Sequence, residues 1–350
     1  MKTVRLLFLS GVVLLLVSCG GPLYDPGTAG TGEAVTAPLA PPVQDDDEFW
    51  QVEDDIQLYY FSHGSGRPVL VVHGFALNPP TSPWPGNREL DEQFEFFYYH
   101  QRGCGYSTRP VDSFESSNFY ENMNAMNARL GIEQQLADIE RIRRILGEEK
   151  LIIIGHSYGG FLASLFAAEF PEKVEKIVLI APANVVSMPQ DEPGLYEQVR
   201  EGLPASMRND YDDYLERYFD YTSIFEHSEE SLRLLNLEFL PYYEAAALGA
   251  GMRYSSEDID PELAGGWIIH GYNFSLGQHY DLGPFLENIQ APALILQGTE
   301  DLQGEAALSG YLDYISVARL EMIPGAGHML HSGSPEAYAQ HLQAFLSEGN

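Results

Sequence analysis

The chain has 350 residues, 45% hydrophobic and 12% aromatic, which is enough to bury a sizeable core and too apolar for a disordered chain. Acidic residues number 51 against 19 basic ones, a formal net charge of −32, and only Lys2, Lys150, Lys173 and Lys176 are lysines. That balance argues against a nucleic-acid partner, whose phosphates need Lys and Arg, and describes an acidic surface kept soluble by its own repulsion.

The N-terminus reads "MKTVRLLFLSGVVLLLVSCGG". Two basic residues precede an apolar run too short for a comfortable membrane span, and a small residue stands before Cys19; residues 1–18 therefore read as a secretory leader. Leu16-Val17-Ser18-Cys19 resembles a bacterial lipobox. The resemblance implies lipidation of Cys19, export, and anchoring in the bacterial cell envelope, where several acyl chains hold a protein that a single chain would hold only marginally. Cys104, the other cysteine, is then left without a partner, and no disulfide within the chain is expected. Residues 19–48 are rich in Gly, Pro, Ala and Thr and follow no helical or strand period, so they read as a flexible tether with a stand-off on the order of 30 Å.

Strands and helices then alternate. "IQLYYFSHG", "RPVLVVHG" and "FEFFYYHQRG" are predicted strands. The stretch "MNARLGIEQQLADIERIRRILG" places Leu130, Ile132, Leu136, Ile139, Ile142 and Leu146 at helical spacing and predicts one long helix. "KLIIIG" is a short, fully apolar strand of the kind buried on both faces of a parallel sheet, followed by a helix from Tyr158 and the strand "VEKIVLI". From 183 to 281 the alternation gives way to helical stretches rich in Tyr, Glu and Leu. It resumes with strand "APALILQG", helix "EAALSGYLDYI", strand "RLEMIPG" and helix "PEAYAQHLQAFLS". The reading is one open, mostly parallel α/β domain (49–182 and 282–350) interrupted by a helical cap at 183–281.

Gly155-His156-Ser157-Tyr158-Gly159 fits G-x-S-x-G at a strand-to-helix turn, where the flanking glycines permit a tight turn that pushes a serine hydroxyl out at the carboxyl end of the sheet. A serine hydroxyl is a weak nucleophile and needs a base, which in turn needs an orienting acid. Asp301 follows one later strand and His328 follows the next, so Ser157, Asp301 and His328 are the candidate catalytic residues, all on the face where strand ends open. Glu300 is the alternative acid and His331 the alternative base. His63, His100 and His270 read as structural or surface residues. The developing oxyanion needs donors, and the backbone N–H groups of Tyr158 and of Phe75, in "VLVVHGFALNPP", are the candidates. No metal-ligand cluster, Walker loop or dinucleotide fingerprint is present, so no cofactor is implied and water is the expected acyl acceptor.

These residues resemble the α/β-hydrolase family from about Phe49 onward. "FEFFYYHQRGCGYSTRP" and "PPTSPWPG" resemble the proline iminopeptidase-like serine peptidases. That branch implies release of N-terminal residues, often proline, from short peptides, with the substrate amine held by cap acids; Glu238 in "NLEFLPYYEAA" is the candidate on this resemblance, with Glu244 behind it. The chain departs from the branch at "HGFAL", where the branch has "HGGPG", and at His100, where it has Asp. The expected activity is that of an aminopeptidase of this type acting on short peptides; the departures leave a carboxylic-ester hydrolase as the alternative, with a non-catalytic binding lipoprotein as a third reading. Gln101, Arg102 and Cys104 read as loop braces.

Overall fold

The computed structural model describes residues 22–40, 48–190, 193–252, 259–304 and 308–348. The expected leader and Cys19 lie outside the described residues. Eight strands form the main sheet: β1 (Phe49–Glu53), β2 (Ile56–Gly64), β3 (Arg67–Val72), β4 (Phe94–Tyr99), β5 (Leu151–His156), β6 (Val174–Ile180), β9 (Ala293–Gly298) and β10 (Ala318–Ile323). Two short strands, β7 (Ser187–Met188) and β8 (Tyr280–Asp281), pair with each other apart from it.

The sheet order is β1-β2-β4-β3-β5-β6-β9-β10, antiparallel at β1/β2 and β2/β4 and parallel from β4 to β10. β5 lies at its centre, and all six of its residues are buried. This explains why "LIIIG" is apolar without alternation: helices cover both faces, so neither face meets water. The helix Tyr158–Glu169 runs back along the sheet with nearly every residue buried.

One predicted element divides. The long helix expected over "MNARLGIEQQLADIERIRRILG" is two helices, Phe119–Leu130 and Ile132–Leu146, because Gly131 is extended at φ −64° and ψ 168°. The Ile132 N–H leaves the helical ladder and donates instead to Ser275 Oγ at 3.0 Å. The apolar period runs through the break, so spacing alone did not reveal it. The helix expected over "EAALSGYLDYI" is described as a helix only at Ser309–Leu312.

Among the described residues between β6 and β9 lie five helices of eight or more residues, Leu195–Gly202, Arg208–Tyr218, Glu229–Leu237, Phe239–Gly249 and Trp267–Leu276. They share their own apolar cluster, centred on Tyr211, Tyr214, Leu232 and Trp267. The β7–β8 pair, with Ser187 opposite Asp281, brings together the two chain crossings that join these helices to the sheet.

The tether expectation needs correction over residues 22–40, which lie against the body. Tyr24, Ala29 and Val35 are buried in the main core. Glu169, at the end of its helix, binds this strap with both oxygens: Oε2 accepts from the Gly27 N–H at 2.9 Å and from the Tyr24 hydroxyl at 3.3 Å, and Oε1 accepts from the Gly30 N–H at 2.8 Å. The amides of Leu23 and Tyr24 donate to the Ser275 carbonyl at 2.8 and 3.0 Å, and Arg144 donates to the Ala37 carbonyl at 2.9 Å. Composition misled here: Gly and Pro supply the turns of a docked segment as readily as the freedom of a loose one. Replacing Glu169 by Ala should free the strap, and the Gly27 and Gly30 amides should then exchange hydrogen about tenfold faster or more, since a charge-assisted bond contributes ~1.5–3 kcal/mol. Unchanged exchange would place the hold on the strap elsewhere.

Candidate active site

β5 ends at His156 and the helix begins at Tyr158, so Ser157 alone makes the turn, at φ 54° and ψ −120°. A Cβ on Gly155 would collide with the Gly159 carbonyl, and one on Gly159 would collide with the carbonyls of Val72 and His73. Both glycines are therefore demanded by close backbone approach, as the motif implied. The Ser157 side chain is buried among β-strand ends, at the N-terminus of a 12-residue helix whose dipole favours negative charge there.

Asp301 follows β9 and its side chain is wholly buried. Its Oδ2 accepts from His328 Nδ1 at 2.8 Å and from Gln297 Nε2 at 3.0 Å, and its Oδ1 accepts from the Gln303 N–H at 3.1 Å. Burial pushes this carboxyl up, but the His328 ring and these donors outweigh it and hold the group below the usual carboxylate range. A carboxylate can only accept, so His328 carries its proton on Nδ1 and leaves Nε2 free as a base. The His328 ring lies 4.8 Å from that of His156, the neighbour of Ser157. Among the described residues no hydrogen bond joins Ser157 Oγ to His328, a contact that in many unliganded hydrolytic sites tightens only with substrate.

The loop after β3 reaches the same point. A Cβ on Gly74 would lie 3.1 Å from Ser157 Cβ, so the backbone leading to Phe75 passes in contact with the serine. The Phe75 and Tyr158 rings stack at 5.2 Å and 5°, which sets the two candidate donor residues side by side, and the Tyr158 hydroxyl is tied to Gln135 at 3.1 Å. Gln101 braces this loop as expected: its N–H donates to His73 Nε2 at 3.1 Å and its side-chain amide to the His73 carbonyl at 2.7 Å. Arg102 is buried and pairs with Asp138 and Glu53. Burial pushes the Cys104 thiol up to about 12, which makes it unreactive at neutral pH.

The alternatives separate clearly. Glu300 is exposed. The His331 ring is stacked on Trp84 at 3.9 Å, and neither of its nitrogens has a hydrogen-bond partner. His63 pairs with Asp91 at the surface at 2.6 Å; His100 meets the Pro80 carbonyl and the Tyr106 N–H; His270 meets Asn236 inside the cap. Glu238 is placed against the expectation drawn from the resemblance: it is exposed and paired with both terminal nitrogens of Arg217, so its charge is already met on the outer side of the cap. Glu244 is half-buried. The buried cap carboxylate among the described residues is Glu229, and it too is engaged, by Arg109 at 2.7 Å and by the N–H groups of Gly266 and Trp267 at 2.8 Å each. Phe75 lines a cavity of about 20 Å³ with Leu77, Leu195, Tyr196, Tyr218 and Phe239, room for a water with the cap in this position. Gln297 and Gln303, which belong to no motif, hold Asp301, and His156, which stands inside one, lies against the His328 backbone; none of the three is a candidate from the sequence alone.

The chain belongs to the alpha/beta hydrolase fold family, whose pattern matches residues 67–335. It is similar to a proline iminopeptidase of Lactobacillus delbrueckii subsp. bulgaricus, 24% identical over 80% of this chain and 89% of that protein. It is equally similar to a pimeloyl-[acyl-carrier protein] methyl ester esterase of Pectobacterium carotovorum, 25% identical over 82% of this chain and 98% of that one. The crystal structure of proline iminopeptidase from Mycobacterium smegmatis superposes with a TM-score of 0.59 at 19% identity, covering 84% of this chain and 95% of that one. That likeness establishes the fold.

Two outcomes follow from this geometry. Gly159→Ala should abolish the soluble fold or the turn at Ser157, read as loss of soluble protein or of serine labelling, because the strand ends cannot move apart without breaking the β3–β5 pairing. Burial holds His73, His156 and His270 at about 3 and His100 at about 4, against 6.5 for a free imidazole. These folded values lie below the unfolded one, so the unfolded chain binds the extra protons. Stability is therefore lost as pH falls below about 6.5, at up to ~1.4 kcal/mol per pH unit for each imidazole. The urea midpoint should drop steeply between pH 7 and pH 5; a flat profile would show that these rings are hydrated.

Proposed function

We propose that the protein is a serine hydrolase that cleaves a carboxylic ester through an acyl-enzyme on Ser157. The observation that carries the catalytic reading is the Asp301–His328 pair at 2.8 Å, its imidazole 4.8 Å from the ring of His156, the residue before the serine of the strained turn. His328 Nε2 takes the Ser157 proton as the hydroxyl attacks the substrate carbonyl. Asp301 holds the ring in its Nδ1–H tautomer and stabilises the imidazolium. The Phe75 and Tyr158 amides receive the oxyanion, each donor contributing ~3–4 kcal/mol to the transition state. His328 then returns the proton to the leaving alcohol, and water, activated by the same base, releases the acid.

The ester reading rests on charge. An aminopeptidase must hold a cationic amine beside the scissile bond; the first candidate carboxylate, Glu238, is already paired with Arg217, and the buried cap carboxylate, Glu229, with Arg109 and two backbone amides, while Glu244 is half-buried. The cavity beside Phe75 is lined by apolar and aromatic side chains and by Asn236, with no charged group among them, a lining that favours an uncharged ligand over a cationic one. The second reading, an aminopeptidase of proline iminopeptidase type, is favoured by the "QRGCG" segment after β4 and by the Lactobacillus relative. The leader adds a place: we infer export and anchoring at a cell-envelope membrane through lipidated Cys19, which Cys19→Ser should convert to a form extracted without detergent.

Short-chain p-nitrophenyl esters and unblocked or N-blocked Pro, Ala and Leu anilides distinguish the two chemistries. The wild type should cleave the esters, and Ser157→Ala should lose about 10⁴-fold or more in kcat while melting with the wild type. Cleavage confined to unblocked anilides would establish the aminopeptidase instead, and an unaffected Ser157→Ala would overturn both.

A further inference from the structure

His156 is the last residue of β5 and directly precedes Ser157, and the acyl-transfer scheme leaves it without a task. Its Nε2 lies 3.0 Å from the backbone carbonyl oxygen of His328. That oxygen can only accept, so Nε2 carries the proton and donates. The ring is packed from three sides: 4.8 Å from the His328 ring, edge-on to Trp84 at 6.0 Å and 81°, and edge-on to His331 at 5.2 Å and 90°. Trp84 and His331 are themselves stacked, so the wall behind His156 is rigid on its aromatic side.

Beyond His328 the loop is held by the buried Leu330 and by the His331 carbonyl, which accepts from the Gly86 N–H at 3.0 Å; the stretch before His328 is held differently. It starts with Gly325 at φ 70° and continues through Ala326 and Gly327, residues without side chains large enough to pin a backbone. Its other ties, Gly325 N–H to Thr299 Oγ1 at 2.9 Å and Glu300 N–H to the Ala326 carbonyl at 2.9 Å, lead to the loop after β9, the same loop that carries Asp301. Acid and base are thus tied to each other; the acid's loop reaches the nucleophile turn indirectly, through the Asn184 N–H to Gln303 Oε1 at 3.3 Å and the Ala183 N–H to the Ser157 carbonyl at 3.0 Å, while the His156 contact is the direct link from the base's own backbone to the residue beside the nucleophile.

We infer that His156 is that link, a positioning residue whose Nε2–H ties the His328 backbone to the nucleophile turn and sets the approach of His328 Nε2 to Ser157 Oγ. The inference rests on the serine-hydrolase reading of Ser157. Burial keeps the ring neutral; the groups facing it are the imidazoles of His328, His331 and His73 and the Asp301 carboxylate. A neutral ring holds the same donor across the range in which His328 must cycle between its two states.

The test reads the rate at which a fluorophosphonate labels Ser157, alongside the melting temperature. His156→Phe keeps a ring against Trp84 without a donor and should label about tenfold more slowly or worse, because small errors of placement at a reacting pair cost up to ~10²-fold. His156→Gln supplies an N–H at nearly the same reach and should recover most of the rate. Wild-type labelling by His156→Phe overturns the inference, as does a Gln variant as slow as Phe while both melt with the wild type. In the unaltered protein, ¹⁵N-histidine spectra should show His156 protonated at Nε2 alone between pH 6 and pH 8, and a ring protonated at Nδ1 overturns the inference even where a variant fails to fold. A wild type that does not label at all would sink the Ser157 reading, while the tautomer still decides the role of His156.

Discussion

Ser157 holds a conformation that costs a residue with a side chain on the order of 1–3 kcal/mol, and the surroundings leave it no cheaper one. Its N–H donates to the Ile180 carbonyl at 2.9 Å, and its own carbonyl receives the amides of Gly160 and Ala183 at 2.9 and 3.0 Å. The turn is therefore bound on both sides to the end of β6 and the chain that leaves it. Ala181, the next residue after β6, is the other described non-glycine residue with positive φ, at 42°, and its N–H donates to the Leu296 carbonyl of β9. Two neighbouring strand ends thus share the strain, each held by a strand beyond it. A sheet buried on both faces is stiff enough to sustain this, and an edge strand would not be.

The same stiffness accounts for what could be read in advance. The parallel core was legible because β5, β6 and β9 each carry an unbroken apolar run (Leu151–Ile154, Ile177–Ile180 and Ala293–Leu296), a pattern that burial on two faces requires. The stations of Ser157, Asp301 and His328 were legible because each follows a strand, and parallel strands deliver their carboxyl ends to one face. The break at Gly131 was not legible, because the apolar period crosses it and the cause is a hydrogen bond to Ser275, far along the chain. Nor was the fate of Glu238: a helical acid looks the same in sequence whether it faces a cleft or an arginine on the next helix. Gln297 and Gln303 escaped notice because an amide that satisfies a buried carboxylate belongs to no pattern and is defined only by where the chain returns.

The acidic composition and the site are arranged as separate matters. Near the candidate site, charge is confined and answered: Arg102 lies between Asp138 and Glu53, Glu229 meets Arg109, and Asp301 meets His328. Many of the remaining acids lie at the surface. With Lys and Arg this scarce, the buried carboxylates that do have guanidinium partners mark the joints of the molecule, namely the start of the sheet against the helix Ile132–Leu146 and the loop after β4 against the cap.

The docked strap changes the meaning of the distance between anchor and body. Only three residues separate Cys19 from Leu23, whose amide is already fixed to the end of the cap helix Trp267–Leu276. The four Cα-to-Cα steps between them span at most ~14 Å. With the proposed lipid on Cys19, the protein is therefore a mounted body on a short leash. Such an anchor would turn one end of the cap to the bilayer, so the fold, rather than diffusion about a long tether, would set the orientation of the cleft over the membrane.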